Sequence, residues 1–206
     1  MAPRSTSIRY GAVAMAFHWV IALLVLTNVA LGITFVQVLD RQNPIRPGIV
    51  QTHESIGAAV LILSVMRLIW RLANPVPELP ADFRRAKRIL ARGTHYCLYA
   101  LMILVPYFGW QLASIPGRPL ILFGGVDWPK IWYLTGLAPQ AQRHWAGIMA
   151  PTHITLAFLL LALAIGHLSA ALFYHFAIRR DQILQRMLPG TDVTPERTIG
   201  PLPKKG

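Results

Sequence analysis

Long apolar runs alternate with short polar, proline-rich breaks along this chain, and that alternation predicts its elements. Residues 11–38 carry no charged side chain and lie between Arg9 and Asp40. A helix crosses a bilayer in about 20 residues, so a first span is predicted at about 12–36. Pro44, Pro47 and Gly48 break the chain, and a second span is predicted at 51–72. Its strictly charge-free part, 55–66, is too short to cross alone. Glu54 and Arg67 must therefore lie near the interfaces or have internal partners. Asn74, Pro75, Pro77 and Pro80 stop that helix, and Arg84, Arg85, Lys87, Arg88 and Arg92 follow as a basic cluster. A third span is predicted at 94–113, with Pro106 as a kink. Residues 115–142 contain Pro116, Gly117, Pro119, Gly124, Gly125 and Pro129, with Asp127 and Lys130 among them, which argues against a complete crossing. Trp128, Trp132 and Tyr133 suit an element at the headgroup level. The charge-free stretch 144–178 holds a fourth span at about 151–176. The fold class expected is an all-α membrane protein, a four-transmembrane-helix bundle formed by one domain over 1–189. Residues 190–206 form a polar tail with too little apolar surface to order itself.

Composition agrees: of 206 residues 54% are hydrophobic and only 14% charged, which excludes an ordinary soluble domain. A net charge of +12 in a soluble chain would point to nucleic acid, but here the cations fall between apolar runs, and no nucleic-acid partner is expected. Lys and Arg number 2 before the first span, 5 in the two loops across the membrane (Arg41, Arg46, Arg118, Lys130, Arg143) and 13 in the remaining segments. By the positive-inside rule both termini are expected in the cytoplasm. The N-terminal run exceeds a signal-peptide core and is read as a retained span. Cys97 is the single cysteine, so there is neither an internal disulfide nor a Cys-x-x-Cys-His site for covalent haem attachment.

Histidines change the picture most, because an ionisable side chain inside lipid is costly and a functional candidate by default. His153 and His167 are 14 positions apart, about 21 Å along a helix and within roughly 40° of the same face. Each finds a partner at its own depth: His18 with His167 in the cytoplasmic half, His53 with His153 towards the outside. Neutral imidazole is a common haem-iron ligand, so these four are the candidate axial ligands of two haems. Arg67 and Arg71, at the cytoplasmic end of the second span, are candidates for neutralising propionates. Snorkelling towards anionic lipid is the competing account. His95 starts the third span at the cytoplasmic interface. With Tyr10 and His175 it is a candidate quinone or propionate contact by position. His144, beside Arg143, is assigned to the outer loop. There is no Gly-rich phosphate loop, nucleophile elbow or metalloprotease motif.

Several pieces together resemble the bacterial cytochrome b561 family. They are Phe17-His18-Trp19, His53 through Gly57, Arg67 through Leu72, Asn74 through Pro77, His95 through Tyr99, Pro106, Gly109-Trp110, His153, His167, His175, Arg180-Asp181 and Arg186 through Pro189. The family is similar to the cytochrome b subunits of hydrogenases and formate dehydrogenases. The resemblance implies a bacterial inner-membrane protein holding two non-covalent haem b groups, with His18 and His167 on one iron and His53 and His153 on the other. It further implies electron conduction between an external one-electron donor or acceptor and the quinone pool, with ubiquinone as substrate. One branch resembles a superoxide oxidase, and Arg41, Arg46, Arg118, Lys130 and Arg143 could rim an external site for that anion. Two alternatives stand beside it: a membrane anchor subunit receiving electrons from an external redox protein, and a haem-free structural or transport bundle. The arginine that members often carry two positions after the first tyrosine is absent here, where Gly11 and Ala12 follow Tyr10.

Overall fold

A backbone placed in lipid has no water to bond with, so it satisfies its N–H and C=O groups internally, as a helix. The computed structural model describes residues 2–79, 84–115, 119–173 and 182–194. Among these, four helices are long and apolar enough to cross a membrane. Helix α1 is Ala12–Ile33 and continues into a π-helical turn, Thr34–Val38; α2 is Arg46–Ala73; α3 is Arg85–Ser114; α5 is Pro139–Ser169. Between α3 and α5 lie strands β1 (Ile121–Leu122) and β2 (Val126–Asp127) and the short helix α4 (Trp132–Thr135).

Helix and span are set by different forces, and the helices outrun the apolar segments. The first turns of α3 carry Arg85, Lys87, Arg88 and Arg92, although cations at a helix N-terminus oppose the macrodipole. Attraction to anionic headgroups accounts for them better. Pro106 and Pro151 lie inside α3 and α5, where each removes a backbone donor without ending the helix. Leu23, Ile69 and Leu72 are 66%, 62% and 80% exposed. Such apolar surface is a liability in water, but lipid tails cover it at no cost.

The described chain divides into two compact units. One comprises the described parts of Met1–Val20, Val65–Tyr99 and Ala162–Gly206; the other is Ile21–Ser64 with the described parts of Ala100–Leu161. In the first, three segments clasp one another. Arg9 donates to the carbonyls of Leu188, at 2.9 Å, and Thr191. Trp19 Nε1 donates to Met187 O at 2.8 Å, and the backbone N–H of Glu78 to Ser7 O at 2.9 Å. The buried Arg186 donates to Glu78 O.

In the second unit, β1 and β2 pair antiparallel, with Ile121 opposite Asp127 and Leu122 opposite Val126. The turn places Phe123 and Gly124 at φ 50° and 76°. Glycine adopts that region freely, whereas phenylalanine does so at a cost. Helix α2 holds the hairpin in compensation: Ser55 Oγ accepts from Phe123 N at 2.9 Å, and Gln51 Nε2 donates to Ile121 O at 3.2 Å. Ser55→Ala leaves the Phe123 N–H without its acceptor and is expected to cost about 0.5–1.5 kcal/mol, measured as a lowered melting midpoint in detergent. Nearby, Ile115, Ile131 and Leu134 form a small core with Trp110 and Trp145. Trp132 is 83% exposed, as an interfacial residue would be, but Trp128 turns inward and stacks edge-on to Trp110 with ring centres 6.0 Å apart.

Candidate functional site

Two helices of the second unit bring His53 (α2) and His153 (α5) together, with ring centres 6.1 Å apart and planes at 85°. Each ring is received by the neighbouring helix in the same way. His53 Nδ1 lies 3.0 Å from the carbonyl oxygen of Asn28, and a Cβ added at Gly32 would come within 3.2 Å of its Cε1. His153 Nδ1 lies 2.9 Å from Val105 O, and a Cβ at Gly109 would come within 3.0 Å of its Cε1. Residues four apart share a helix face. Asn28 and Gly32 on α1, and Val105 and Gly109 on α3, thus form two matching seats of one carbonyl and one glycine. A carbonyl only accepts, so each Nδ1 carries the proton and each Nε2 keeps its lone pair.

Two cavities both border His53 and His153, and both are also lined by Asn28, Gly57 and Pro106. The larger is walled mostly by aliphatic side chains with Phe158 and Phe35, and the Phe35 ring meets His53 edge-on at 5.2 Å. The smaller reaches Trp110, Leu122 and Trp128. Asn28 Oδ1 is buried without a hydrogen-bond partner among the described residues.

In the first unit, His18 (α1) and His167 (α5) have ring centres 6.2 Å apart, with planes at 72°. His95 (α3) lies closer still to His167, at 5.4 Å. Trp19 packs edge-on against His18 at 5.1 Å. Arg67 Nη2 is 3.1 Å from His18 Nδ1. Guanidinium only donates, so this Nδ1 accepts and the neutral ring carries its proton on Nε2, opposite to the rings of the other pair. The Cζ atoms of Arg67 and Arg71 lie 5.3 and 5.5 Å from the Tyr99 ring centre, within cation–π range. Neither guanidinium has a carboxylate partner among the described residues.

Both histidine spacings suit a metal held between two imidazoles. A metal–nitrogen bond of about 2.0 Å, with roughly 1.1 Å from nitrogen to ring centre on each side, puts the centres about 6.2 Å apart. A bare ion is a poorer fit, since no group of three or more His, Cys, Asp and Glu among the described residues could hold one. A flat macrocycle brings its own equatorial ligands and needs only the two imidazoles. At the His53 pair the free Nε2 atoms and the cavities agree with it. At the His18 pair the spacing agrees, and a metal taking Nε2 would displace its proton.

Of the other sequence candidates, Tyr10 is half-buried, and its backbone N–H donates to Arg186 O at 3.4 Å. His175 and Arg118 lie outside the described residues. His144 is exposed on α5 itself, and among the rim cations Arg41 and Arg143 are exposed while Arg46 and Lys130 are half-buried. Arg46 is tied to the cavity wall: its Nε donates to Phe35 O at 3.2 Å and its Cζ sits 5.8 Å from the Phe35 ring centre. The glycine and carbonyl seats escaped sequence reading. In the sequence Gly109 stands only as part of the Gly109-Trp110 piece of the resemblance, and Gly32 carries no signal.

Comparison with known proteins meets this geometry. The sequence model of the family described as prokaryotic cytochrome b561 matches residues 9–190. The chain is 32% identical over 184 residues to "Cytochrome b561 homolog 2" of Escherichia coli (strain K12), covering 89% of this chain and 93% of that one. It is 31% identical over 185 residues to "Cytochrome b562" of Cereibacter sphaeroides, with 87% and 94% covered. Against the "Probable superoxide oxidase CybB" of Yersinia pestis the identity is 26% over 181 residues, with 88% and 96% covered. A family match over nearly the whole length, on a chain with four membrane-length helices, shows that this protein belongs to the prokaryotic cytochrome b561 family of haem-binding electron-transport proteins of the membrane.

Proposed function

We propose that the protein is a di-haem b cytochrome of the bacterial inner membrane, passing single electrons from an external donor to the quinone pool. The observation that carries this reading is the pair of histidine spacings, 6.1 and 6.2 Å, each matched to one iron between two imidazoles. His53 and His153 hold the haem nearer the outside, and His18 and His167 the one nearer the cytoplasm, where the positive-inside count puts both termini. A haem held between two imidazoles would supply one-electron exchange without an open position for oxygen.

The chain's own residues do the rest. Asn28 O and Val105 O fix the tautomer and orientation of His53 and His153. Arg67 and Arg71, two cations without a carboxylate partner among the described residues, receive the propionates of the cytoplasmic-side haem. Superoxide is the external donor that the rim of Arg41, Arg46, Lys130 and Arg143 would steer inward. Two superoxide anions each lose one electron to become oxygen, and a quinone takes both electrons with two protons to become quinol. The relative named a probable superoxide oxidase supports this choice of donor.

The test is a spectrum followed by rapid mixing. Purified protein is expected to show b-type bands in the reduced-minus-oxidised difference, and superoxide is expected to reduce the oxidised protein. Absence of the bands would overturn the electron-transfer reading. Ready reduction by quinol with no response to superoxide would instead favour an anchor subunit fed by an external redox protein.

A further inference from the structure

The two histidine pairs sit in opposite electrostatic surroundings. Around His53 and His153 the nearest polar partners of the rings are backbone carbonyls, at 3.0 and 2.9 Å from the two Nδ1 atoms, and Glu54 lines the smaller cavity beside them. An Nδ1–H donated to a carbonyl makes the ring a stronger electron donor, which favours the oxidised metal. Neither cavity bordering these rings is lined by Lys or Arg among the described residues. Arg46 approaches only through Phe35, one aromatic ring removed from His53.

Around His18 and His167 the arrangement is reversed. Arg67 touches the His18 ring at 3.1 Å, and Arg71 faces the same Tyr99 ring as Arg67. With no carboxylate partner among the described residues, their two positive charges act on whatever the histidines hold. When a metal takes Nε2 the ring proton passes to Nδ1, so Arg67 gives up that contact and acts on the site through its charge. In surroundings of low dielectric, two cations that cancel the charge of the propionates they receive favour the state with one more electron, and the other site has no such pair.

We propose that Arg67, assisted by Arg71, makes the His18–His167 site the higher-potential site of the protein, so that an electron arriving at the His53–His153 site moves downhill to it. This rests on the reading of the two pairs as haem sites. Arg67 then acts on that site by its charge, and it sets the direction of electron flow. Reduction adds one electron at the His18–His167 site as the His53–His153 site gives one up.

The experiment is a spectroscopically followed redox titration of the purified full-length protein. His153→Ala and His167→Ala assign each transition to its site. The transition that survives in His153→Ala is expected to lie above the one that survives in His167→Ala. Arg67→Gln is expected to lower that upper transition by tenfold or more in its one-electron equilibrium constant, 59 mV per tenfold, and to leave the other in place. Arg67→Lys, which keeps the charge, is expected to restore most of the shift. Should Arg67→Gln fail to fold, Arg71→Gln is expected to move the same transition in the same direction by less. A reversed order of the two sites, or arginine variants that fold and shift neither transition, would overturn the inference. A wild-type protein with no b-type bands would instead overturn the haem reading beneath it.

Discussion

Substituting alanine for His53 or His153 is expected to remove half of the bound haem and to leave the other half with an unchanged spectrum, and His18→Ala or His167→Ala to do the converse. Four imidazoles in two pairs, each with ring centres about one bis-imidazole iron apart, leave little redundancy. Under the proposed ligation, removing one imidazole would leave the macrocycle held by a single bond and by packing. In the second unit it also removes the second donor of a helix carbonyl, Asn28 O or Val105 O. Haem content per protein by pyridine haemochrome, with an electron paramagnetic resonance spectrum of the oxidised protein, checks both halves. His95 supplies the discriminating case, since its ring lies nearer to His167 than the His18 ring does, 5.4 against 6.2 Å. The shorter distance is edge contact between rings and leaves too little room for an iron and two bonds. His95→Ala is therefore expected to keep both haems. Loss of haem in His95→Ala, with full haem in His18→Ala, would reverse the pairing.

The four long helices were legible because the bilayer makes one demand on a spanning segment, about 20 apolar residues, and that demand is written in composition alone. Where the helices end was less legible, since hydrogen bonding carries α3 back to Arg85, through a cluster that hydropathy assigns to a loop. The hairpin between α3 and α5 was hidden for a related reason. Gly124 and Gly125 announced a break, but the acceptor that holds the turn, Ser55 Oγ, belongs to another helix.

Depth along a span could be read from charges at its ends, which is why the four histidines could be sorted into two levels. Orientation could not. The contact of Arg67 with His18 depends on which face of α2 meets α1, and each helix is apolar on nearly every face, so periodicity gives no answer. Backbone carbonyls are invisible in a sequence altogether, because every residue has one. The seats at Asn28 and Val105 emerged only from geometry.

Gly109→Ala is expected to be the most damaging single-methyl change beside either histidine pair, and to act on the His53–His153 site alone. A Cβ at Gly109 would come within 3.0 Å of His153 Cε1 and 3.4 Å of Nδ1. The ring cannot yield freely, since its Nδ1 is fixed to Val105 O, one turn before Gly109 on the same face of α3. The added methyl must push the imidazole off that acceptor, or α3 away from α5. Overpacking of this kind costs about 1–3 kcal/mol, which weakens haem retention roughly five- to 150-fold at 1.4 kcal/mol per tenfold. Gly32→Ala, with 3.2 Å to His53 Cε1, is expected to follow the same course with a smaller loss. Gly166→Ala is the control. Gly166 adjoins His167 in sequence, but its added Cβ would meet nothing within 4 Å, so both haems should remain. Haem retention under detergent dilution, compared across the three variants, tests the ranking. Equal losses in all three would mean that the seats do not hold the rings.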